Sequence, residues 1–248
     1  MAVTWLTAML DTPESASDAT EAYWVAITGW PPSSRRGATS EFATLLPPDG
    51  DGYLKVQVVG EARPGMMHLD VHTEDVEQLC ADVARLGAEV VPHQLGYSVC
   101  RSPGGLVFCI VDHQASTRPA PTNWPSGSSF VDQVCLDIPR AVFDQEADFW
   151  EEVAGWPHVP AGLPEFDRLL PPPGQPLRIL LQRIEDEHGD RARMHLDFAS
   201  EDRDAEVARH VELGGRVVRR TDWWTTLLDP SGRAYCITRR HPQTGTVP

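Results

Sequence analysis

The sequence contains almost no lysine: Lys55 is the only one among its 21 basic residues, and the others are arginines. It therefore has no Gly-Lys-Ser/Thr phosphate loop and no kinase lysine motif, and Schiff-base catalysis could rest on Lys55 alone. It also lacks an apolar run long enough to span a membrane and a basic-then-apolar leader at residues 1–5. From these absences we expect a soluble, cytoplasmic protein.

Positive charge is scarce as well, because 36 acidic residues outweigh the 21 basic ones and leave a formal charge of −15 over 248 residues. Such an excess repels phosphate backbones and anionic lipid, so we expect neither a nucleic-acid partner nor a membrane surface. The cysteines are odd in number and form no Cys-x-x-Cys pair, which predicts reduced, mostly buried thiols rather than a disulfide framework or a zinc knuckle. They are Cys80, Cys100, Cys109, Cys135 and Cys236.

What the sequence does contain is an internal repeat. The two copies are offset by 124 to 127 residues, a drift that indicates loop insertions. Four matches carry it: Leu-Asp-x-Pro at 10–13 and 136–139, an aromatic pair at 23–24 and 149–150, Met-His-Leu-Asp at 67–70 and 194–197, and aromatic-Cys-Ile at 108–110 and 235–237.

A segment rich in proline, glycine and serine separates the copies and indicates a linker. We therefore predict one domain at 1–115, a linker at 116–128 and a second domain at 129–248. Within each copy the hydrophobic periodicity predicts a strand, a helix and further strands, twice over. In the first copy the helix is expected to end near Gly29.

These motifs, with a Pro-x-Gly turn before the last strand of each copy, resemble the vicinal oxygen chelate superfamily of glyoxalase I, bleomycin-resistance proteins and extradiol dioxygenases. The closest resemblance is to tandem glyoxalase-like proteins, and it covers nearly the whole chain. It implies an α+β fold of two tandem glyoxalase-like domains. Each would be built of paired βαβββ modules that form a half-open barrel, whose concave face is a ligand-binding cup.

The resemblance also implies where a metal ion would be held. The first-strand ligand falls at Thr7 in one copy and Gln133 in the other, and the second ligand falls at His68 and His195. The glutamate usual in the family is replaced by cysteine, at 109 and 236. Because a divalent ion in such a site favours carboxylate and imidazole ligands, we expect no bound cofactor. If a divalent metal is held, Gln133, His195 and Cys236 are its expected ligands.

Residues two apart on a strand share a face, so His68 and His195 each lie beside an aspartate, Asp70 and Asp197. We expect the histidines to contact ligand, with His195 as the candidate general base, and the aspartates to brace the structure. Gln182 is a further candidate, since a glutamine in an apolar strand needs a partner, although an edge position facing solvent explains it equally well.

The aromatic residues fall into two groups. The helix-associated tryptophans at 24, 30, 150 and 156 recur in both copies, which predicts core packing. Trp223 and Trp224 replace Gly96 and Tyr97 of the first copy, so the second cup gains a surface on which a flat ligand could stack. Arg220 adds a positive charge near that cup.

Together these features predict a protein that binds a small, partly aromatic metabolite or antibiotic in a cup without a metal. Whether it is an enzyme stays open: the alternative is a metal-dependent lyase, isomerase or dioxygenase-like catalyst, and a third hypothesis is a scaffold with one vestigial cup. The expected partner is a small molecule, and a monomer and a homodimer fit equally well.

Overall fold

The computed structural model describes residues 3–60, 66–94, 96–185 and 191–247, which form four α-helices and sixteen strands. The helices are α1 (Ser17–Thr28), α2 (Val76–Arg85), α3 (Phe143–Ala154) and α4 (Arg203–Glu212). In the first copy the strands are β1 (Trp5–Pro13), β2 (Phe42–Leu45), β3 (Leu54–Val59), β4 (Met67–His72), β5 (Glu89–Gln94), β6 (Tyr97–Arg101) and β7 (Val107–Val111). The remaining strands are β8 (Thr122–Trp124), β9 (Gly127–Pro139), β10 (His158–Pro160), β11 (Phe166–Leu169), β12 (Arg178–Ile184), β13 (Arg193–Ser200), β14 (Arg216–Arg220), β15 (Trp224–Leu228) and β16 (Ala234–Thr238).

The strands form two mixed sheets, which confirms the α+β class. The seven-stranded sheet has the order β2-β3-β1-β4-β7-β6-β5. The nine-stranded sheet has the order β10-β11-β12-β9-β13-β16-β15-β14, with β8 paired to β9. Each sheet contains a parallel pair at the same place in the repeat, β4 with β7 and β13 with β16, while the neighbouring β6–β7 and β15–β16 pairs are antiparallel.

The chain forms two compact units, and each unit draws on both copies of the repeat. Unit 1 consists of Met1–Ala8, His68–Thr117 and Val134–Met194, and unit 2 consists of Met9–Met67, Arg118–Gln133 and His195–Pro248. The domain boundaries at 115 and 129 stay a prediction from the repeat.

Local sequence accounts for where the helices begin and end. Helix α1 ends where Gly29 takes a left-handed conformation (φ 73°) and its N–H bonds to the carbonyl of Val25, as the sequence predicts. Gly155 ends α3 in the same way (φ 66°). The shorter helices α2 and α4 each begin at an aspartate, Asp75 and Asp202, whose carboxylate accepts a backbone N–H of the first turn.

Aromatic side chains fill the core of each unit. In unit 1, Phe108 lies between Phe149 and Trp150 with ring centres 5.9 and 5.2 Å away. In unit 2, Trp24 stacks on Phe198 with ring centres 6.1 Å apart. All four helix-associated tryptophans are at most 3% exposed, so their assignment to the core is confirmed. The five cysteines are free thiols and only Cys80 is not fully buried, which confirms that prediction as well.

The segment predicted as a linker contains more structure than its composition indicates. Strand β8 pairs with the start of β9 around a tight turn, with Thr122 opposite Ser129 and Trp124 opposite Gly127. Gly127 adopts a positive φ of 123°, which other residues rarely do. Across the described ranges, every helix is too short or too polar to cross a membrane.

Candidate functional site

Three potential metal-ligand side chains meet on one face of unit 2. His195 and Asp197 alternate along β13 and therefore share a face. Strand β16 runs parallel to β13 in a register that sets Cys236 beside Asp197. The imidazole nitrogen, carboxylate oxygen and thiol sulfur all lie within 4.8 Å of one another. We call His195, Asp197 and Cys236 the second-copy cluster, and the side of the strands that carries it the cluster face.

Asp197 is the electrostatic centre of this cluster. Burial by itself would raise the pKa of its carboxyl group, but His195, Arg240 and Gln133 outweigh burial and hold the pKa below its usual value. The Gln133 amide donates a 2.6 Å hydrogen bond to Asp197 Oδ2, and Arg240 Nη1 lies 3.8 Å from the same oxygen. Asp197 is therefore an anion whose charge is balanced by neighbouring protein groups.

The other oxygen of Asp197 has a different environment. Oδ1 is buried and accepts no hydrogen bond from the part of the chain that the structure describes, although His195 Nε2 lies 3.4 Å away. A buried oxygen of this kind, next to an imidazole and a thiol, has the donor chemistry that zinc accepts. His195, Asp197 and Cys236 therefore fit a divalent ion of the zinc type.

The cluster face continues onto the next two strands. Thr226 on β15 lies opposite Cys236, with Oγ1 3.4 Å from the sulfur. Trp224 is two residues before Thr226 on the same strand, so its half-buried indole lies on the same face. Arg219 on β14 is opposite Thr226, and its guanidinium carbon is 5.9 Å from the centre of the Trp224 ring. An indole and a cation thus lie beside the polar cluster.

The first copy builds a similar cluster in unit 1. His68, Asp70 and Cys109 bring their ligand atoms within 4.8 Å of one another, with Asp70 opposite Cys109 in the parallel β4–β7 pair. The surroundings differ, because Val99 lies opposite Cys109 where the second copy has Thr226. Thr7, the equivalent of Gln133, bonds instead to His72 Nε2 at 2.9 Å.

The structure separates the sequence-predicted site residues into groups. Gln133, His195 and Trp224 lie in unit 2 on or beside the cluster, and His68 lies in the unit 1 cluster. Gln182 lies in unit 1, where its side-chain oxygen accepts from Cys135 Sγ at 3.5 Å.

The other two candidates are exposed side chains. Trp223 precedes β15 and is 51% exposed. Arg220 is exposed and lies opposite Thr225, so it faces away from the side that carries Trp224 and Thr226.

Sequence reasoning missed three contributors: Thr226, Arg219 and Arg240. Alternation from Trp224 along β15 could have identified Thr226. No comparable signal exists for Arg219, because a bulge between Val217 and Arg219 shifts the register of β14. The contact of Arg240 with Asp197 comes from a segment after the last strand, where periodicity gives no direction.

Comparisons with known proteins agree with this architecture. A family model described as a glyoxalase-like domain matches residues 7–111 and again residues 133–238. A search of curated proteins finds no match.

Among solved structures, a mutant of 4-hydroxymandelate synthase from Streptomyces coelicolor aligns with a TM-score of 0.63 at 14% identity, over 99% of this chain and 94% of that one. A catechol 2,3-dioxygenase aligns with a TM-score of 0.59 at 13% identity, over 100% of this chain and 92% of that one. A fusion of a xylose isomerase-like TIM barrel with 4-hydroxyphenylpyruvate dioxygenase aligns with a TM-score of 0.60 at 13% identity, over 95% of this chain. This chain spans only 48% of that fusion protein. Identities this low show a shared fold and nothing finer.

Proposed function

The chain belongs to the glyoxalase-like domain family, and on that basis we propose that it binds a small, partly aromatic metabolite or antibiotic on the cluster face of unit 2. The proposal needs no bound metal. The ligand lies on one face of one unit, where Trp224, His195 and Gln133 contact it.

The observation that carries the proposal is the position of Trp224. Its indole is half-buried and shares a face with Thr226, which contacts Cys236 in the polar cluster. An aromatic ring placed on this indole gains about 0.5 to 1.5 kcal/mol beyond the burial of its area. The ring would then present its polar substituents to His195 and Gln133. An aromatic surface beside a few convergent polar groups provides both kinds of contact that a small-molecule site uses.

Charge balance supports binding without a metal. The carboxylate of Asp197 already receives the Gln133 amide at 2.6 Å and lies near the Arg240 guanidinium at 3.8 Å. The protein therefore compensates this buried charge with its own groups. In this arrangement His195 Nε2 lies 3.4 Å from Asp197, and its imidazole is the group that would hold or move a ligand proton.

A second candidate function, a metal-dependent lyase, isomerase or dioxygenase-like enzyme, is favoured by Asp197 Oδ1. This buried oxygen accepts no hydrogen bond from the described residues. His195, Asp197 and Cys236 would hold the ion, with Gln133 beside them. A divalent ion in that place supplies Lewis-acid activation of a ligand oxygen.

We also propose a binding position in unit 1, a cytoplasmic location and no nucleic-acid or membrane partner. The His68 cluster in unit 1 is a second, weaker binding position, because Val99 replaces Thr226 there and Tyr97 occupies the position of Trp224. A cytoplasmic location agrees with five free thiols. The strong negative charge argues against nucleic-acid and membrane partners.

Calorimetric titration with a fixed panel tests the proposal: bleomycin, catechol, 4-hydroxymandelate and 4-hydroxyphenylpyruvate. We expect at least one to bind, and Trp224→Leu to weaken that binding by about tenfold through loss of stacking and apolar contact. Trp223→Leu is the matched control, since it removes an adjacent indole that precedes the strand. Equal effects of the two substitutions, or no binding by any compound, would reject the proposal.

A further inference from the structure

Strand β14 carries an unusual concentration of positive charge for this protein. Three of its five residues, Arg216, Arg219 and Arg220, are arginines in a chain whose formal charge is −15. Across the described ranges, none of the three forms an ion pair with a carboxylate. Uncompensated cations on an acidic protein create a local field that attracts anions.

Two of these arginines lie on the cluster face, Arg216 opposite Leu228 and Arg219 opposite Thr226, and of the two Arg219 is the one beside Trp224. The bulge after Val217 puts Arg219 opposite Thr226 and Arg220 opposite Thr225. Arg219 therefore shares the cluster face with Trp224, and its guanidinium carbon is 5.9 Å from the centre of the indole ring. A planar guanidinium beside an indole can pair with an anionic group on a ring that stacks there.

The other arginine near the cluster is already engaged. Arg240 donates to both carboxylate oxygens of Asp132, which is 1% exposed, and its Nη1 lies 3.8 Å from Asp197. Its charge is thus neutralised by buried acids. Of Arg219 and Arg240, Arg219 is therefore the one that can offer its charge to a ligand.

The first copy of the repeat provides an internal comparison. It keeps the equivalent His-Asp-Cys cluster but has Pro92 at the position of Arg219 and Tyr97 at that of Trp224. Its outer strand β5 begins with an acid, Glu89, which lies 3.6 Å from Arg101. The cation and the indole are therefore features of the second copy alone, and they occur together.

From this pairing we infer that the ligand of unit 2 is an aromatic anion, whose ring stacks on Trp224 and whose negative group pairs with Arg219. Arg219 is thereby the residue that determines specificity for charge. The inference rests on the proposed function, because it assigns the class of molecule that the same face holds.

Three probes with one ring and different substituents test it on the full chain: 1-naphthoate, 1-naphthyl phosphate and the uncharged 1-naphthamide. We expect either anion to bind about tenfold more tightly than the amide at low salt, with the preference reduced at high salt. A stronger response to the phosphate or to the carboxylate identifies which anion the site prefers.

The variants Arg219→Gln and Arg220→Gln provide the decisive comparison, because they change net charge equally on opposite faces of one strand. We expect Arg219→Gln to abolish the preference for anions without weakening the binding of 1-naphthamide. Arg220→Gln should keep the preference. Equal losses in both variants, equal binding of anion and amide, or no binding by any of the three probes would overturn the inference. The proposed function survives any of these outcomes if a compound of the bleomycin, catechol, 4-hydroxymandelate and 4-hydroxyphenylpyruvate panel still binds and Trp224→Leu weakens that binding. Only the inference about charge is then rejected.

Discussion

Ser102 donates a 2.6 Å hydrogen bond to the carboxylate of Glu146, and so joins the turn before β7 to helix α3 within unit 1. The same carboxylate accepts the indole N–H of Trp150 at 2.8 Å and the backbone N–H of Gly104 at 2.6 Å. In unit 2 the indole of Trp24 donates to Asp229 at 2.9 Å. Asp229 is the repeat equivalent of Ser102, and the equivalent of Glu146 is Thr20. In each unit a buried acid therefore accepts the indole N–H of a helix tryptophan. In unit 1 this acid is on the helix itself, and in unit 2 it is in the turn before β16.

Replacement of Glu146 by alanine should destabilise the protein strongly. The change leaves the buried donors of Ser102, Gly104 and Trp150 without an acceptor, and we expect a loss of about 3 kcal/mol or more in the free energy of unfolding. Urea denaturation followed by circular dichroism measures it. Glu152→Ala, on the exposed side of the same helix, should change stability by less than about 0.5 kcal/mol. Similar losses in the two variants would contradict the role assigned to Glu146.

The acid in the other unit depends on a buried cation. Arg233 is 1% exposed and pairs with Asp229 at 2.7 Å, while also donating to the carbonyl of Asp11 at 2.6 Å. Because Arg233→Met leaves the Asp229 carboxylate without its counter-charge, we expect a loss of about 3 to 5 kcal/mol. Arg239→Met, at an exposed position a few residues later, is the control and should have little effect. A thermal melt in which both variants match the wild type would show that this ion pair does not hold unit 2 together.

Acid should destabilise the protein partly through helix α4. Burial alone would raise the pKa of Glu206, but hydrogen bonds from Arg209 and His210 lower it from 4.5 to about 2. A carboxyl group with a depressed pKa stabilises the folded state above its unfolded pKa, and this contribution disappears as the pH falls through the folded value. The free energy of unfolding should therefore fall between about pH 4.5 and about 2.

Protonation of His210 also lowers the free energy of unfolding, and it does so over a higher pH range than Glu206. Burial lowers its pKa from 6.5, so the unfolded chain takes up this proton before the folded chain does. In denaturant titrations across the acidic range, Glu206→Gln should flatten the dependence of stability on pH, whereas Glu212→Gln at an exposed site of the same helix should leave it unchanged. A slope that Glu206→Gln does not alter would show that other groups control acid unfolding.

Much of the fold could be predicted from the sequence because hydrophobic periodicity and glycine positions follow directly from local geometry. The pattern at residues 54–59 gives strand β3 as observed, and Gly29 ends α1 as expected. Strand β8 could not be predicted in the same way, since three residues are too few to show a period and its partner lies across a turn. Its flanking prolines and serines dominate the composition of that segment.

The candidate site was predictable in part. His195 and Gln133 follow from the family resemblance, and the structure brings them to one carboxylate, Asp197, which was expected only to brace the strand. Simple alternation along β14 would put Arg220 on the face of Trp224. The bulge after Val217 moves Arg219 there instead, and a bulge depends on how two strands pair rather than on either sequence alone.

Calorimetric titration of metal-free protein distinguishes a ligand site that works without a metal from one that depends on it. Protein is stripped with a chelator, its metal content is checked by mass spectrometry, and the best-binding panel compound is titrated with and without added zinc. We expect the same affinity in both states and a loss of about tenfold in Trp224→Leu. Binding that disappears in the stripped protein, returns with zinc and is absent in His195→Ala would contradict this expectation and establish the metal-dependent alternative.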